Sequence, residues 1–313
     1  MGERENLIVR DVLRMYDVTD PELRFIQHNE NITYRVTEKG RSYVLRVHAP
    51  VEGFSLGLFE DASPVALMKG ETELLLHLSK TASFPVQTPI ANKNGEYVTV
   101  LPSGIPAELL EWIDGEPLDD EIIKQYAGEI AALAARLHAA LVGFDGRRPS
   151  YSHDFVRRMA DELQIAGEKH HLTKDHVSIF TDVLAEVGRI MVALDMEPNT
   201  KSLIHSDLGS GNILKTPTGL AFIDFSLSGY GYKAQECGMI ASNYSGEDEW
   251  ERVREGYEKA GGVPIEKYHM EAFRAFSVLG FIASQHDRYW REERFKSSLT
   301  RWTNTIFLKV LSK

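Results

Sequence analysis

The sequence predicts an α+β protein in two lobes: an N-terminal five-stranded antiparallel sheet with one helix, then a mostly α-helical C-terminal part. Three observations carry that prediction. Residues 32–47 form two strand-like runs around a turn. Apolar residues recur at helical spacing from Ile122 onward. Between these textures stands Asp114-Gly115-Glu116-Pro117, which reads as a hinge. With the hinge at 110–116, the chain divides into a β-rich 1–113 and an α-rich 114–313.

In the first lobe, Ile32 to Thr37 and Ser42 to Val47 alternate or run apolar, with Glu38-Lys39-Gly40 as a hairpin turn between them. A helix follows, with Leu67, Leu74, Leu75 and Leu78 on one face and Pro64 near its start. Pro89-Ile90 and Tyr97 to Leu101 flank Asn94-Gly95, a strong hairpin signal. Ala107 to Ile113 completes the sheet. In the second lobe, Ile122, Tyr126, Ile130, Leu133, Leu137 and Leu141 mark a helix led in by Asp119 and Asp120. Phe155, Met159 and Leu163 mark another, and the apolar series from Val177 to Leu194 a long third. Two short strands come next, then helices to the end of the chain. There are no internal repeats and no low-complexity linker.

Composition narrows the function classes. A chain of 313 residues has room for two lobes and a large core. The net charge of −11 argues against nucleic acid and anionic membranes as partners. It is compatible with a cationic small molecule, although solubility alone explains such acidity. The single cysteine, Cys237, rules out an internal disulfide and points to a reducing, cytoplasmic setting. The start of the chain lacks the features of a signal peptide, and no apolar run reaches transmembrane length.

The chemistry lies between Ile204 and Asp224, in Ile-His-Ser-Asp-Leu-Gly-Ser-Gly-Asn-Ile-Leu and then Ala-Phe-Ile-Asp-Phe. Asp207 and Asn212 are five apart on a glycine-containing loop, and Asp224 ends the next apolar run. One carboxylate, Asp207, can sit beside an attacking hydroxyl. Asn212 and Asp224 then remain as hard oxygen donors for Mg²⁺ on a nucleotide's phosphates. Phosphoryl transfer needs mainly positioning and charge neutralisation, so these groups nearly suffice on the protein's side. His205 reads as support for the loop.

Arg46, in Tyr-Val-Leu-Arg-Val, needs an anionic partner if it faces inward, and otherwise belongs to an outer face. Glu71 on the following helix is the natural partner, with Glu73 the alternative on another side of that helix. Gln27 to Asn31 could cover phosphates, and reads equally well as an ordinary turn. Gly229-Tyr-Gly-Tyr-Lys-Ala234 imitates a dinucleotide-binding fingerprint, but no βαβ unit can be drawn around it. A Walker A loop and zinc-type His/Cys spacings are absent from the sequence.

Taken together, the chain resembles the aminoglycoside phosphotransferase and choline kinase family, whose fold is like that of protein kinases. The resemblance rests on Glu30-Asn31-Ile-Thr-Tyr-Arg-Val, Tyr43-Val-Leu-Arg46-Val, Glu71 with Leu75 and Leu78, Pro85-Val-Gln-Thr-Pro89, Leu110-Glu-Trp-Ile-Asp-Gly-Glu116, Leu137-His138, the loop from His205 to Asn212, and Ile223-Asp224-Phe225. It implies that Asp207 is the catalytic aspartate and that Asn212 and Asp224 hold magnesium. It implies that Arg46, paired with Glu71, serves the phosphates of ATP, with Asn31 nearby. Leu110 would be the gatekeeper, with the backbone of Glu111 and Ile113 hydrogen-bonding adenine. The closest texture is the broad bacterial branch acting on small-molecule hydroxyls, such as aminoglycosides, amino alcohols and related metabolites.

The chain departs from the family in three places. It lacks the glycine-rich loop of protein kinases. Ser206 stands where many relatives have Gly, and Glu236-Cys237 stands in the neighbourhood of an Asp-Leu pair. A protein kinase and a catalytically idle nucleotide-binding module are the alternative readings.

Overall fold

Three strands and two tight turns begin the sheet: β1 (Glu22–His28), β2 (Asn31–Glu38) and β3 (Arg41–His48). Lys39 and Gly40 both take positive φ, 51° and 78°. That is the mirror-image turn whose twist suits an antiparallel ribbon, and Glu38 pairs directly with Arg41 across it. The computed structural model describes residues 3–53, 57–59, 63–169 and 171–312. They fall into two units: Met1–Glu52 with Asp61–Asp114 and Gly143–Arg148, and Gly53–Glu60 with Gly115–Val142 and Pro149–Lys313.

The first unit adds β4 (Val98–Val100) and β5 (Pro106–Glu111), giving the strand order β1-β2-β3-β5-β4. Two helices accompany the sheet. The first, α1 (Glu3–Leu13), is an addition to the reading from sequence. Val9, Val12, Leu13 and Tyr16 are buried with Ile32, Tyr34, Val36, Leu45, Val47, Ala107 and Leu109 in one apolar cluster. Each large side chain sealed from water there contributes about 1.5–3 kcal/mol.

The second helix, α2 (Pro64–Thr81), carries Pro64 in its first turn, and the Ser63 hydroxyl accepts the Ala66 N–H as N-cap. Its buried residues include Glu71, Leu74, Leu75 and Leu78. Strand alternation places Arg46 and Glu108 on the opposite face of the sheet from Leu45 and Leu109. Arg46 and Glu71 meet there.

The Asn94-Gly95 turn forms, closed by the Asn92 N–H donated to Glu96 O at 2.7 Å, but its flanks do not pair with each other. Both lie along β5: Pro89 bridges to Leu110, and Val98 pairs with Glu108. Gly95 alone has positive φ, so this turn lacks the two-residue geometry that drives strands into a hairpin.

The second unit opens with β6 (Glu116–Pro117). The helix expected from Ile122 starts as a 3₁₀ turn over Ile123–Tyr126 and becomes α3 at Ala127–Ala140. Asp119 Oδ1 caps its start, accepting from the N–H groups of Glu121 (2.9 Å) and Ile122 (2.7 Å). Next come α4 (His153–Glu168) and α5 (Lys174–Asp195).

Four short strands then carry the motif where the sequence suggested two: β7 (Lys201–Ile204), β8 (Ile213–Thr216), β9 (Gly219–Phe222) and β10 (Gly229–Tyr232). β7 pairs with β10, while β8 lies between β6 and β9, all antiparallel. The Gly229-Tyr-Gly-Tyr stretch is thus an antiparallel strand, not the phosphate turn of a βαβ unit.

Helices α6 (Lys233–Ala241), α7 (Glu247–Lys259), α8 (Lys267–Tyr289), α9 (Glu293–Trp302) and α10 (Leu308–Leu311) complete the unit. Where α3 meets α7, a Cβ on Gly256 would stand 2.2 Å from the Gly128 carbonyl oxygen, so these backbones touch only through glycine. No described helix is long and apolar enough to cross a membrane.

Candidate active site

His205 leaves β7 fully buried, and the loop after it is held almost entirely by hydrogen bonds. Glu236, buried in the first turn of α6, accepts two main-chain donors. The His205 N–H reaches Oε1 at 2.7 Å and the Ser206 N–H reaches Oε2 at 2.9 Å. His205 Nε2 donates to the Ile223 carbonyl at 3.0 Å, and its Nδ1 accepts the Asp207 N–H at 3.3 Å. Those partners fix the neutral tautomer with its proton on Nε2. Burial drives the His205 pKa down, against the charges of Glu236 and Asp224, and keeps the ring neutral. Phe225 packs on that ring with centroids 4.4 Å apart.

Asp207 and Asn212 meet directly. Asn212 Nδ2 donates to the Asp207 carbonyl and to Asp207 Oδ2, both at 2.9 Å. With Nδ2 spent on Asp207, the Asn212 side-chain oxygen remains an acceptor. Asn212 also closes the short 3₁₀ turn Ser210–Asn212, its N–H donating to Gly209 O and its carbonyl accepting from Ile223. Burial and then the charge of Asp224 push the Asp207 pKa up to about 7, with the Asn212 hydrogen bond opposing. Asp207 therefore shares its surroundings with the second carboxylate of the motif.

Two residues here hold unusual backbone angles. Ser206 has φ 69° and Asp224 has φ 63°. The left-handed region costs a side-chain-bearing residue about 1–2 kcal/mol, less for Asp than for Ser. A glycine would sit at position 206 without that cost, which is the physical reason relatives can carry one. The Ser206 N–H bonded to Glu236 helps maintain the strained form.

Glu236 is the functional residue that sequence reading did not assign. Burial alone would raise its pKa, but His138, His205 and the main-chain N–H of His205 outweigh burial and hold it below the usual carboxylate range. His138 Nε2 lies 3.6 Å from Glu236 Oε1, and its Nδ1 is 2.7 Å from the Tyr257 hydroxyl. The available signal was an acid placed at the start of a helix just after a Gly-Tyr-Gly-Tyr strand. Cys237, the next residue, is fully buried, and burial raises its thiol pKa.

In the first unit Arg46 is buried and binds two carboxylates. Its Nη1 lies 2.5 Å from Glu71 Oε1 and 2.8 Å from Glu108 Oε1. Glu73 is exposed. Glu108 pairs with Arg46 in register and is completely buried, a second partner that sequence reasoning missed. Its signal was a charge inside the otherwise apolar run Ala-Glu-Leu-Leu.

Asn31 starts β2 on the same sheet face as Arg46, and its buried Oδ1 makes no hydrogen bond among the described residues. Leu110 is fully buried in β5. The Glu111 N–H is already donated to Thr88 O at 2.8 Å, so only its carbonyl could serve a ligand. Ile113 lies just beyond the strand, half-buried. Gln27 to Asn31 forms a tight β1–β2 turn, bound by Ala49 N–H to Glu30 O and Val51 N–H to Asn29 O.

Three of the acids after Tyr244 have basic partners. Glu247 pairs with Lys267 and Lys309, Glu249 with Arg252, and Glu251 with Arg254. Trp250 is buried, with the Arg274 guanidinium 4.8 Å from its ring centroid, and Trp290 stacks on His171.

Residues 22–276 match the phosphotransferase enzyme family, and the chain belongs to that family. Among solved structures it is similar to a microcompartment-associated aminopropanol kinase, with 21% identity over 96% of this chain and 95% of that one and a TM-score of 0.76. An amicoumacin kinase in complex with AMP-PNP, Ca²⁺ and its ligand matches at 17% identity over 97% and 93%, with a TM-score of 0.75. A choline kinase from Streptococcus pneumoniae matches at 16% identity over 99% of both chains, with a TM-score of 0.67. At these identities the likeness is one of fold, the kinase-like α+β architecture. No curated protein matches the chain.

Proposed function

We propose that the protein is an ATP- and Mg²⁺-dependent kinase that phosphorylates a hydroxyl group of a small molecule. The observation that carries this reading is the direct Asn212–Asp207 hydrogen bond, which orients a carboxylate and turns an amide oxygen outward from one short loop. Asp207 orients the acceptor hydroxyl and takes its proton as that oxygen attacks the γ-phosphorus. The bond from the γ-phosphorus to the bridging oxygen breaks, and ADP leaves. Asn212 and Asp224 supply neutral and anionic oxygens, a donor set that suits Mg²⁺. When bound, that ion neutralises charge on the phosphates. His205 and Glu236 keep the loop in place. In the first unit, Arg46 with Glu71 serves the nucleotide's phosphates, Asn31 adds a polar group, and Leu110, Glu111 and Ile113 receive adenine.

For the acceptor, the aminopropanol kinase, choline kinase and aminoglycoside phosphotransferase of similar fold favour an amino alcohol or an aminoglycoside-like compound. Glu247, Glu249 and Glu251 of α7 do not, since lysine and arginine partners already balance them. The tight Gln27–Asn31 turn, with no glycine-rich stretch, disfavours a protein kinase. A setting in the cytoplasm accords with the lone reduced cysteine.

The test is an ATP-consumption screen over amino alcohols, choline, aminoglycosides, homoserine, sugars and nucleosides, paired with melting curves in ATP and Mg²⁺. Turnover with one of these classes is expected. In Asp224→Ala, Mg²⁺ should no longer add to the stabilisation by ATP. Nucleotide binding with no turnover across the screen would favour the idle module instead.

A further inference from the structure

Away from the catalytic loop, the second unit gathers two imidazoles and a carboxylate. His171 lies in the link between α4 and α5, while His286 and Asp287 sit on the last turn of α8. His171 Nδ1 is 3.0 Å from His286 Nδ1, and Asp287 Oδ1 is 3.4 Å and 3.6 Å from those two nitrogens. A four-coordinate cation with bonds of about 2.0–2.1 Å spaces its ligand atoms about 3.3–3.4 Å apart. The triangle formed by the three side chains approximates one face of such a tetrahedron, each edge within about 0.4 Å of that spacing.

A plain hydrogen bond between the two rings is the competing account of the shortest edge. It does not explain why one carboxylate oxygen converges on both nitrogens, since a single shared proton satisfies only the ring pair. The surroundings favour lone pairs turned inward. Glu162 Oε2 lies 3.9 Å from His286 Nε2, beyond hydrogen-bond reach, and its charge favours a ring proton on that outer nitrogen. His171 is stacked on Trp290 with an interplanar angle of 14°. Lys169 Nζ holds the other Asp287 oxygen at 2.8 Å, which aims Oδ1 at the imidazoles.

We propose that His171, His286 and Asp287 form a binding site for a divalent transition cation of the zinc class, fastening the α4–α5 link to the end of α8. Two nitrogen donors and one oxygen suit such a cation and disfavour Mg²⁺ or Ca²⁺, which take oxygen ligands. The fourth position is open to water.

The experiment is calorimetric titration of Zn²⁺ into chelator-treated, nucleotide-free protein, with melting temperature as a second readout. One ion per chain and a raised melting temperature are expected. Asp287 is 39% exposed in its side chain, so Asp287→Asn should fold normally while weakening Zn²⁺ binding at least about tenfold. His171→Gln should do the same, and Asp224→Ala should leave Zn²⁺ binding unchanged. If His171→Gln fails to fold, Asp287→Asn decides alone. Absence of saturable binding, undiminished binding in Asp287→Asn, or loss of binding in Asp224→Ala would each overturn the assignment.

Discussion

Each unit buries a carboxylate cluster, and the two clusters are built to hold different things. In the first unit Glu71 and Glu108 hold a side chain, the guanidinium of Arg46. In the second, Glu236 holds backbone, the N–H groups of His205 and Ser206. A side chain gripped by two carboxylates on neighbouring elements is fixed by charge. A backbone gripped by one carboxylate is fixed by direction, and it can be kept in a conformation that its own sequence disfavours. The first arrangement stations a cation. The second places the loop that carries Asp207 and Asn212.

The largest effect expected is on turnover, and it isolates the chemistry from both clusters. Asp207→Asn should lower kcat by about 10²–10⁴-fold, the range for a lost acid–base group. Its melting temperature should not fall, because a carboxylate with raised pKa is replaced by a neutral isostere. Turnover near wild type with the true acceptor would remove Asp207 from its role.

Removing the backbone brace should damage fold and activity together. Glu236→Ala strands two buried N–H groups at about 1–3 kcal/mol each, read by urea unfolding. Because the Glu236 pKa is depressed in the folded protein, the stability it provides is present above the ordinary carboxylate pKa. It is lost as pH falls through the lower folded value. Glu236→Gln should flatten that acid-side loss, and an unchanged acid profile would place the brace elsewhere.

The charge cluster should fail differently. Arg46→Met leaves two buried carboxylates without their cation and should cost about 3–5 kcal/mol. Adding Glu71→Gln to it should restore part of that loss. A double variant no more stable than Arg46→Met would mean that the cluster is held by groups other than these charges.

The smallest effect sharpens the contrast most. Ser206→Gly should relieve about 1 kcal/mol of left-handed strain, offset in part by the greater freedom of glycine in the unfolded chain. Activity should be retained. A large loss in either would give the Ser206 side chain a role beyond its φ.

Much of this was legible in the sequence, and what was not has physical reasons. Lys39-Gly40 declared a mirror-image turn because few residue pairs tolerate two positive φ values in succession. The face of α2 was readable because Leu74, Leu75 and Leu78 follow Glu71 by three, four and seven positions. The helix α1 is hard to read although Val9, Val12 and Leu13 follow helical spacing, since no clear cap or breaker frames it. Strand β10 was hidden by its glycines, which weaken every strand signal.

In the motif, Asp207, Asn212 and Asp224 are conspicuous because they sit in short polar links that follow or precede apolar strands. Glu108 and Glu236 are not, because their partners are remote in sequence. Glu108 is opposed to Arg46 across a strand register, and Glu236 binds residues thirty-one and thirty positions earlier. Partnerships of that kind are set by topology, which local pattern does not encode.

The position of Cys237 gives the molecule a built-in clock. It is the only thiol, it is sealed, and it follows Glu236 directly on α6. An alkylating reagent can reach it only when α6 opens, and any such opening also releases the two N–H groups that shape the catalytic loop. The rate of labelling under native conditions therefore reports how often the loop loses its support. Each molecule captured by the reagent in that open form is trapped with its active loop unbraced.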